Sequence, residues 1–154
     1  MQIVPAHDAD HLPTVRGLFE EYAAGMGLNF CFQGFTEELA SLPGKYAPPD
    51  GRLLLAECDG QPVACVAMRK IADGICEMKR LYVRPSFQRR GIGRALTVAV
   101  IDEARRAGHR AMKLDTLASM RPAVTLYESL GFRRTTAYYE NPLPDVLYFE
   151  LQLL

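Results

Sequence analysis

Two glycines flanked by arginines have the residue types and the spacing that are typical of an anion-binding turn. The segment Gln88–Arg94, here called the glycine turn, reads Gln-Arg-Arg-Gly-Ile-Gly-Arg between a strand-like run and a long helical pattern. Glycine lets the backbone approach an anion without a Cβ in the way, and the first N–H groups of a helix have no intrahelical partner. The helix dipole adds a favourable positive end. The turn therefore indicates a ligand that carries phosphate.

The glycine spacing alone fits more than one kind of phosphate-binding loop. A dinucleotide-binding fingerprint has a third glycine where this chain has Leu96. Asp115 nevertheless stands at about the distance expected of a ribose-binding acid, so this alternative stays open. A phosphate loop of the NTPase type is excluded more firmly, because no Gly-Lys-Ser/Thr follows the glycines.

The elements around the turn follow from hydrophobic periodicity and turn signals. Strands are predicted near Ile3 and at Arg52–Cys58, Gln61–Lys70, Ile75–Val83, Ala111–Asp115, Phe132–Tyr138 and Val146–Leu153. Helices are predicted at Ala9–Met26, from Thr36 to near Pro43, from Gly91 to Ala107 and at Pro122–Leu130. Asp59-Gly60 predicts a hairpin turn. A hairpin meander followed by βα units indicates an α+β sheet with helices on its faces.

Composition is typical of one globular domain, residues 1–154, with 49% apolar and 23% charged residues. No apolar run approaches the roughly 20 residues that span a bilayer, and no secretory signal is visible, so we expect a cytoplasmic protein without a membrane partner. The cysteines form no Cys-x-x-Cys pair and are expected to be reduced. The histidines lack ligand spacing, so no metal site is expected.

Charge is distributed unevenly although the formal net charge is zero. Residues 1–65 carry nine acids and three bases, whereas residues 66–154 carry nine acids and fifteen bases. A basic half that contains the glycine turn suits a small polyanionic ligand. Nucleic acid is not the expected partner, because the aromatic residues are not interleaved with the bases as a stacking platform requires.

The glycine turn becomes a more specific signal when it is considered together with two other segments of the chain. In order, the three segments are the strand with Glu77, the pattern Gln88-x-x-Gly91-x-Gly93, and Leu-Tyr-Glu-Ser-Leu-Gly-Phe at 126–132. In this combination the chain resembles the GCN5-related N-acetyltransferase (GNAT) superfamily. The order of elements fits that family across nearly the whole chain, while residues 1–50 carry no diagnostic motif. The resemblance implies a three-layer α/β/α fold with about four helices and a mixed, mostly antiparallel sheet of about seven strands that splays into a V-shaped cleft.

The resemblance also implies a binding site for acetyl-CoA. Backbone N–H groups of Arg89–Arg94 would bind the pyrophosphate, and the bulged strand before the turn would offer main-chain groups to the pantetheine arm and the thioester carbonyl. Ser119 and Thr116 are weaker candidates for pantetheine contacts. The predicted cofactor-binding residues are Leu81, Tyr82, Val83, Gln88, Arg89, Arg90, Gly91, Ile92, Gly93, Arg94 and Ser119.

Acetyl transfer to an amine requires a base, because a protonated amine has no lone pair. By resemblance, Glu77 is in register with a strand glutamate that some members use for this step. Period-2 alternation places Glu77 with Lys79 and Leu81 on one side of the strand. The alternative is an ion pair between Glu77 and Lys79 or Arg69.

Tyr127 matches the family's tyrosine that donates a proton to the departing sulfur; the alternative is a core aromatic residue. Two aromatic segments are candidates for the walls of the acceptor site, although either could belong to the core. They are Phe30, Phe32 and Phe35, and the run Tyr138–Pro142.

The sequence thus predicts an acetyl-CoA-dependent N-acetyltransferase acting on a primary amine by direct attack in a ternary complex. A non-catalytic acyl-CoA sensor or interaction module is the second hypothesis, and a dinucleotide-dependent enzyme the third. The acceptor is not identified, and a homodimer is left open.

Overall fold

The computed structural model describes residues 1–26 and 34–154. Within these residues one seven-stranded sheet has the order β1-β2-β3-β4-β5-β7-β6. The strands are β1 Gln2–Pro5, β2 Arg52–Cys58, β3 Gln61–Ala72, β4 Ile75–Val83, β5 Ala111–Leu117, β6 Arg133–Thr135 and β7 Val146–Gln152. The helices are α1 Leu12–Met26, α2 Phe35–Ser41, α3 Ile92–Arg106 and α4 Arg121–Ser129. The predicted α+β class and order of elements are confirmed.

The pairing of the strands explains the mixed sheet. β4 and β5 run parallel, because α3 crosses over between them, whereas the other neighbouring strands run antiparallel. The β2–β3 hairpin turns at Asp59 and Gly60, which take φ values of 52° and 77°. Two consecutive left-handed residues match the right-handed twist of paired strands, so the predicted Asp-Gly turn is confirmed.

Apolar side chains cover both faces of the sheet. On one side, called the α3 face, residues of α3 and α4 such as Leu96 and Tyr127 pack against alternate strand residues. On the other, called the α1 face, Leu18 and Phe19 of α1 pack against the remaining alternate residues of β2 and β3. These two buried clusters give the molecule its three layers.

A bulge in β4 breaks the alternation that the sequence predicted. Arg80 takes a left-handed φ of 60°, and the β3–β4 register shifts between Cys65 and Ala67. Leu81 therefore packs on the α3 face instead of sharing the α1 face with Glu77. An extra residue in one strand reverses the facing of every residue that follows it.

The bulge is held by contacts with α2. The Arg80 guanidinium donates to both Glu38 carboxylate oxygens, at 2.9 Å from Nε and 3.1 Å from Nη2. Both side chains are largely buried, and a bidentate pair of this kind fixes geometry as well as charge. The strained Arg80 backbone is thus supported by a partner from a distant part of the chain.

Two predicted boundaries were wrong by three residues, whereas the others lie within about two residues of the observed ones. The final part of the strand predicted over Phe132–Tyr138 leaves the sheet after Thr135, because Tyr138 and Tyr139 turn to donate hydrogen bonds on the α1 face. The first helix starts at Leu12 instead of Ala9. The Asp8 carboxylate accepts a hydrogen bond from the His11 N–H at 3.0 Å, so a turn precedes the helix.

No helix in the described ranges is long and apolar enough to cross a membrane. The same ranges contain no group of three or more His, Cys, Asp or Glu residues placed to hold a metal ion.

Candidate active site

The two parallel strands in the middle of the sheet separate and form a cleft. β4 pairs with β5 only from Ile75 to Glu77. Beyond this point β4 stays paired with β3, and β5 stays paired with β7 as far as Leu117. The strands therefore splay, as predicted for the V-shaped cleft. The cleft is lined by Tyr22, Lys79, Leu81, Asp115, Thr116 and Tyr127, among others.

The glycine turn leads from the end of β4 into α3. Gly91 is the N-cap of α3 with a φ of 78°, and a Cβ built there would meet no atom within 4 Å. Arg89 also has a left-handed φ, of 66°. Left-handed residues in such a turn point neighbouring N–H groups to one side and form an anion-binding concavity.

The amides of this turn have no partner of their own. The first helical hydrogen bond of α3 runs from the Ala95 N–H to the Gly91 carbonyl, at 3.0 Å. The six N–H groups of Arg89–Arg94 donate no hydrogen bond to any residue in the described ranges. Because the exposed turn leaves these donors open to solvent, its backbone fits a diphosphate such as that of CoA.

The side chains of the turn add charge and rigidity. Gln88 donates from Nε2 to the Val83 carbonyl at 3.1 Å, which ties the turn to the end of β4. Arg94 donates to Ser129 Oγ at 3.0 Å and so connects α3 with α4. The Arg90 guanidinium lies 5.0 Å from the centre of the Phe87 ring. These exposed arginines place positive charge beside the open amides.

Tyr127 projects from α4 to the bottom of the cleft. Its ring is buried against Phe132 and Phe149, with centroids 5.7 and 6.3 Å away. Its hydroxyl makes no hydrogen bond to residues 1–26 or 34–154 and borders the cleft. Burial raises the pKa of Tyr127, so the hydroxyl keeps its proton at neutral pH. A protonated hydroxyl without a protein partner can donate to a leaving group in the cleft.

Glu77 lies below the cleft, where β4 and β5 are still paired. Its side chain is 1% exposed and does not line the cleft. Arg69 donates from Nε to Oε1 at 2.9 Å, and Tyr138 donates its hydroxyl to Oε2 at 2.6 Å. The Lys79 Nζ is 3.9 Å from Oε1. These contacts fit the ion-pair alternative, and the catalytic role of Glu77 stays a prediction.

Replacing Glu77 with glutamine tests both interpretations. We expect a loss of about 3 kcal/mol in the free energy of unfolding, because Arg69 and Lys79 lose their buried counter-charge. Urea unfolding measures the loss, with Glu128→Gln on the exposed side of α4 as a control that stays within about 0.5 kcal/mol. Unchanged stability together with a displaced acid limb of the pH–rate profile would contradict the structural role and support catalysis.

The remaining predicted cofactor residues lie on both sides of the cleft opening. Leu81 and Val83 pack toward the α3 face. Tyr82 faces α1 and donates its hydroxyl to Glu21 at 3.2 Å. Ser119 is exposed in the turn between β5 and α4 and does not line the cleft. Their contacts with CoA stay predictions.

The two predicted acceptor walls are only partly described. Phe30 and Phe32 lie outside the described residues. Phe35 packs against the α1-face cluster, with the Arg80 guanidinium 5.2 Å from its ring centre. In the second wall Asn141 lines the cleft, whereas Tyr138 points below it toward Glu77.

Three charged residues that line the cleft, Lys79, Arg80 and Asp115, were missed as site residues. Asp115 was considered only as a ribose-binding acid, and Lys79 only as a partner of Glu77. Burial lowers the pKa of Lys79, whereas the negative charge of the nearby Glu77 acts in the opposite direction. A carboxylate inside an apolar strand is costly to bury without a purpose, and this signal could have pointed to Asp115.

Solved structures of acetyltransferases share the fold along almost the whole chain. A GNAT-family acetyltransferase from Staphylococcus aureus superposes with a TM-score of 0.81 at 16% identity, covering 99% of both chains. A protein from Salmonella typhimurium, solved with its cofactor acetyl-CoA, superposes with a TM-score of 0.72 at 23% identity, covering 99% of this chain and 94% of that one. At these identities the likeness establishes the fold.

The sequence gives the more specific match. Residues 17–132 match the acetyltransferase (GNAT) family. An uncharacterized N-acetyltransferase of Schizosaccharomyces pombe is 41% identical over 144 residues, which cover 92% of this chain and 88% of that protein. Both matches include the glycine turn, the splayed strands and Tyr127. This chain therefore belongs to the acetyltransferase (GNAT) family.

Proposed function

We propose that this chain transfers the acetyl group of acetyl-CoA to a primary amine by direct attack in a ternary complex. Family membership supports acetyl-CoA-dependent N-acetyl transfer. The main structural support in this chain is the set of amides at Arg89–Arg94, which have no hydrogen-bond partner in the described ranges. They lie at the end of the strand that forms one wall of the cleft. A diphosphate bound there leaves the attached arm next to the splayed strands.

The residues of the cleft have distinct tasks in this proposal. The amides of the glycine turn bind the diphosphate, and the main-chain groups of Leu81–Val83 orient the arm along the unpaired edge of β4. Acetyl-CoA supplies an acyl group activated as a thioester. Tyr127 holds a proton beside the place where a thiolate would leave. Because a free thiol ionises near pH 8.5, we expect this donation to accelerate departure by about 100-fold, the lower end of the usual range for acid catalysis.

Direct attack agrees with the cysteines of the described ranges. Cys65 and Cys76 are buried, and burial raises the pKa of both thiols, so neither is an activated nucleophile. Cys58 is partly buried at the end of β2 and does not line the cleft. An acetylated cysteine intermediate requires a thiolate exposed beside the donor. The amine itself is therefore the proposed nucleophile, after it has lost a proton to a base.

Release of CoA thiol from acetyl-CoA tests the proposal. The panel contains a polyamine, an aromatic ethylamine, free amino acids and a peptide with an N-terminal alanine. We expect at least one amine to accelerate thiol release above the hydrolytic background, with the acetylated amine as product. Binding of acetyl-CoA without turnover would favour the sensor hypothesis. Thermal stabilisation by NAD but not by acetyl-CoA would favour the dinucleotide hypothesis.

The cytoplasmic location and a homodimer also stay predictions. Cell fractionation tests the first, and light scattering after size-exclusion chromatography tests the second.

A further inference from the structure

We propose that Asp115 holds the ammonium group of the acceptor at its free carboxylate oxygen and takes the protons that the nitrogen loses. This inference rests on the proposed function and assigns to Asp115 the base that the sequence assigned to Glu77. It follows from the place where the central strands separate, from the hydrogen bonds of the carboxylate, and from the groups around it.

The topology puts Asp115 at the edge of the gap. Glu77 and Lys113 form the last residue pair between β4 and β5. Side chains alternate along a strand, so Asp115 is the next residue of β5 on the same face as Lys113. It lies on the α1 face, because Leu114 packs into the opposite cluster. Asp115 is thus the first side chain of β5 on that face to border the cleft, while Glu77 lies where the strands are still joined.

The two substrates are expected to approach the gap between β4 and β5 from opposite faces of the sheet. The glycine turn begins α3, and Tyr127 belongs to the α3-face cluster, so the acetyl donor approaches from that face. An acceptor then approaches from the α1 face and meets the donor through the gap. Asp115 and Tyr127 both line this gap, one from each face.

The hydrogen bonds of Asp115 leave one oxygen available. Its Oδ2 accepts from the Tyr139 hydroxyl and from Asn141 Nδ2, the latter at 3.2 Å. Asn141 also donates to the Tyr139 oxygen at 2.9 Å, so the two donors hold each other in place. Its Oδ1 accepts no hydrogen bond from residues 1–26 or 34–154. Both oxygens of Glu77, in contrast, already accept hydrogen bonds.

The surroundings of Asp115 are polar and include the proposed proton donor. Its negative charge contributes to raising the pKa of Tyr127, after burial and the nearby Tyr22. A carboxylate that favours the protonated form of Tyr127 suits an acid and a base acting in one cleft. The titratable groups that face Asp115 are Tyr22, Lys79, Tyr127, Tyr138, Tyr139 and Tyr148.

The transfer balances with these two residues. The ammonium group first gives one proton to Asp115 Oδ1, which passes it to water. The neutral amine nitrogen then forms a bond to the acetyl carbonyl carbon and gives a second proton to Oδ1. The bond between that carbon and sulfur breaks, and its electron pair goes to sulfur, which receives a proton from Tyr127. Proton exchange with water then restores both side chains. Tyr139 and Asn141 are positioning residues, since they act through Asp115.

Two CoA derivatives test the inference without knowledge of the acceptor. S-Aminoethyl-CoA carries an ammonium group close to the position of the reacting amine, and S-propyl-CoA has a methyl group there. Because a charged hydrogen bond forms with Asp115, the wild-type protein should bind the amino derivative roughly 10- to 100-fold more tightly. Asp115→Asn should remove this preference while retaining S-propyl-CoA binding. Glu77→Gln, the matched control, should retain the preference.

Isothermal calorimetry measures the affinities of the two derivatives, and its possible outcomes distinguish the further inference from the proposed function. Equal affinity of the wild-type protein for both derivatives overturns the inference and leaves the proposed function standing. A preference that survives in Asp115→Asn but disappears in Glu77→Gln returns the role to Glu77. If the wild-type protein binds neither derivative, the proposed function itself fails. Asp115→Ser repeats the comparison if the asparagine variant does not fold.

Discussion

Replacing Gly91 with glutamate is expected to weaken acetyl-CoA binding by about 100-fold or more. A Cβ at this position enters open space, so no packing opposes the new side chain, and its carboxylate reaches the region that a diphosphate would occupy. Two like charges 4 Å apart repel by about 4 kcal/mol near a protein surface. Isothermal calorimetry with acetyl-CoA measures the effect directly.

Gly108→Glu is the matched control. Gly108 lies just beyond the other end of α3, about 25 Å away along the helix. It has a φ of 89° and also has no atom within 4 Å of a built Cβ. Both substitutions therefore impose a similar backbone strain of about 1 kcal/mol, but Gly108→Glu adds its charge far from the turn. Normal binding by Gly91→Glu, or an equal loss in both variants, would contradict the role of the turn.

Tyr127→Phe is expected to lower kcat by about 100-fold and to leave the affinity for acetyl-CoA unchanged. The ring that packs against Phe132 and Phe149 is retained, and the lost hydroxyl has no hydrogen-bond partner in the described ranges. Its removal therefore changes the free energy of unfolding little. Single-turnover kinetics with the best amine of the panel would measure the chemical step separately from product release.

The pH dependence of the wild-type activity provides a second readout. Since burial raises the pKa of Tyr127, the wild-type hydroxyl stays protonated from neutral to moderately alkaline pH, and activity should not fall there through its ionisation. Tyr46→Phe, at a buried tyrosine of the α1-face cluster outside the cleft, is the control and should keep full activity. Full activity of Tyr127→Phe would assign Tyr127 to packing alone.

Local signals in the sequence predicted the elements around the glycine turn well. Arg52–Cys58 and Ile75–Val83 match the observed strands in both bounds, because apolar alternation is ended by Asp59-Gly60 and by proline. The glycine turn could be located for the same reason, since two glycines at the start of a helix are costly unless the backbone needs them. These features depend on neighbours in the sequence.

The bulge in β4 depends on contacts that no local pattern contains. Arg80 has an ordinary place in the alternation of the strand, and its left-handed backbone is held by Glu38, which lies 42 residues earlier. Asparagine or glycine would have indicated a positive φ, whereas arginine does not. The facing of Leu81 and Tyr82 could therefore not be predicted from the strand alone.

For a related reason, the sequence alone could not distinguish the surroundings of the Glu77 and Asp115 carboxylates. Glu77 and Asp115 both lie in apolar strands, and residue type does not distinguish them. Their difference comes from the point at which β4 and β5 separate and from hydrogen bonds donated by Tyr138 and Tyr139. The sequence predicted a strand as far as Tyr138, which would have placed this tyrosine in the sheet.

Hydrogen exchange at the amides of Arg89–Arg94 tests the central claim most directly. These N–H groups have no protein acceptor in the described ranges, so they should exchange rapidly in the free protein. Saturating CoA should slow them strongly, whereas acetylpantetheine, which lacks the diphosphate, should not. Exchange at these six amides that is equally fast with and without CoA would contradict the account.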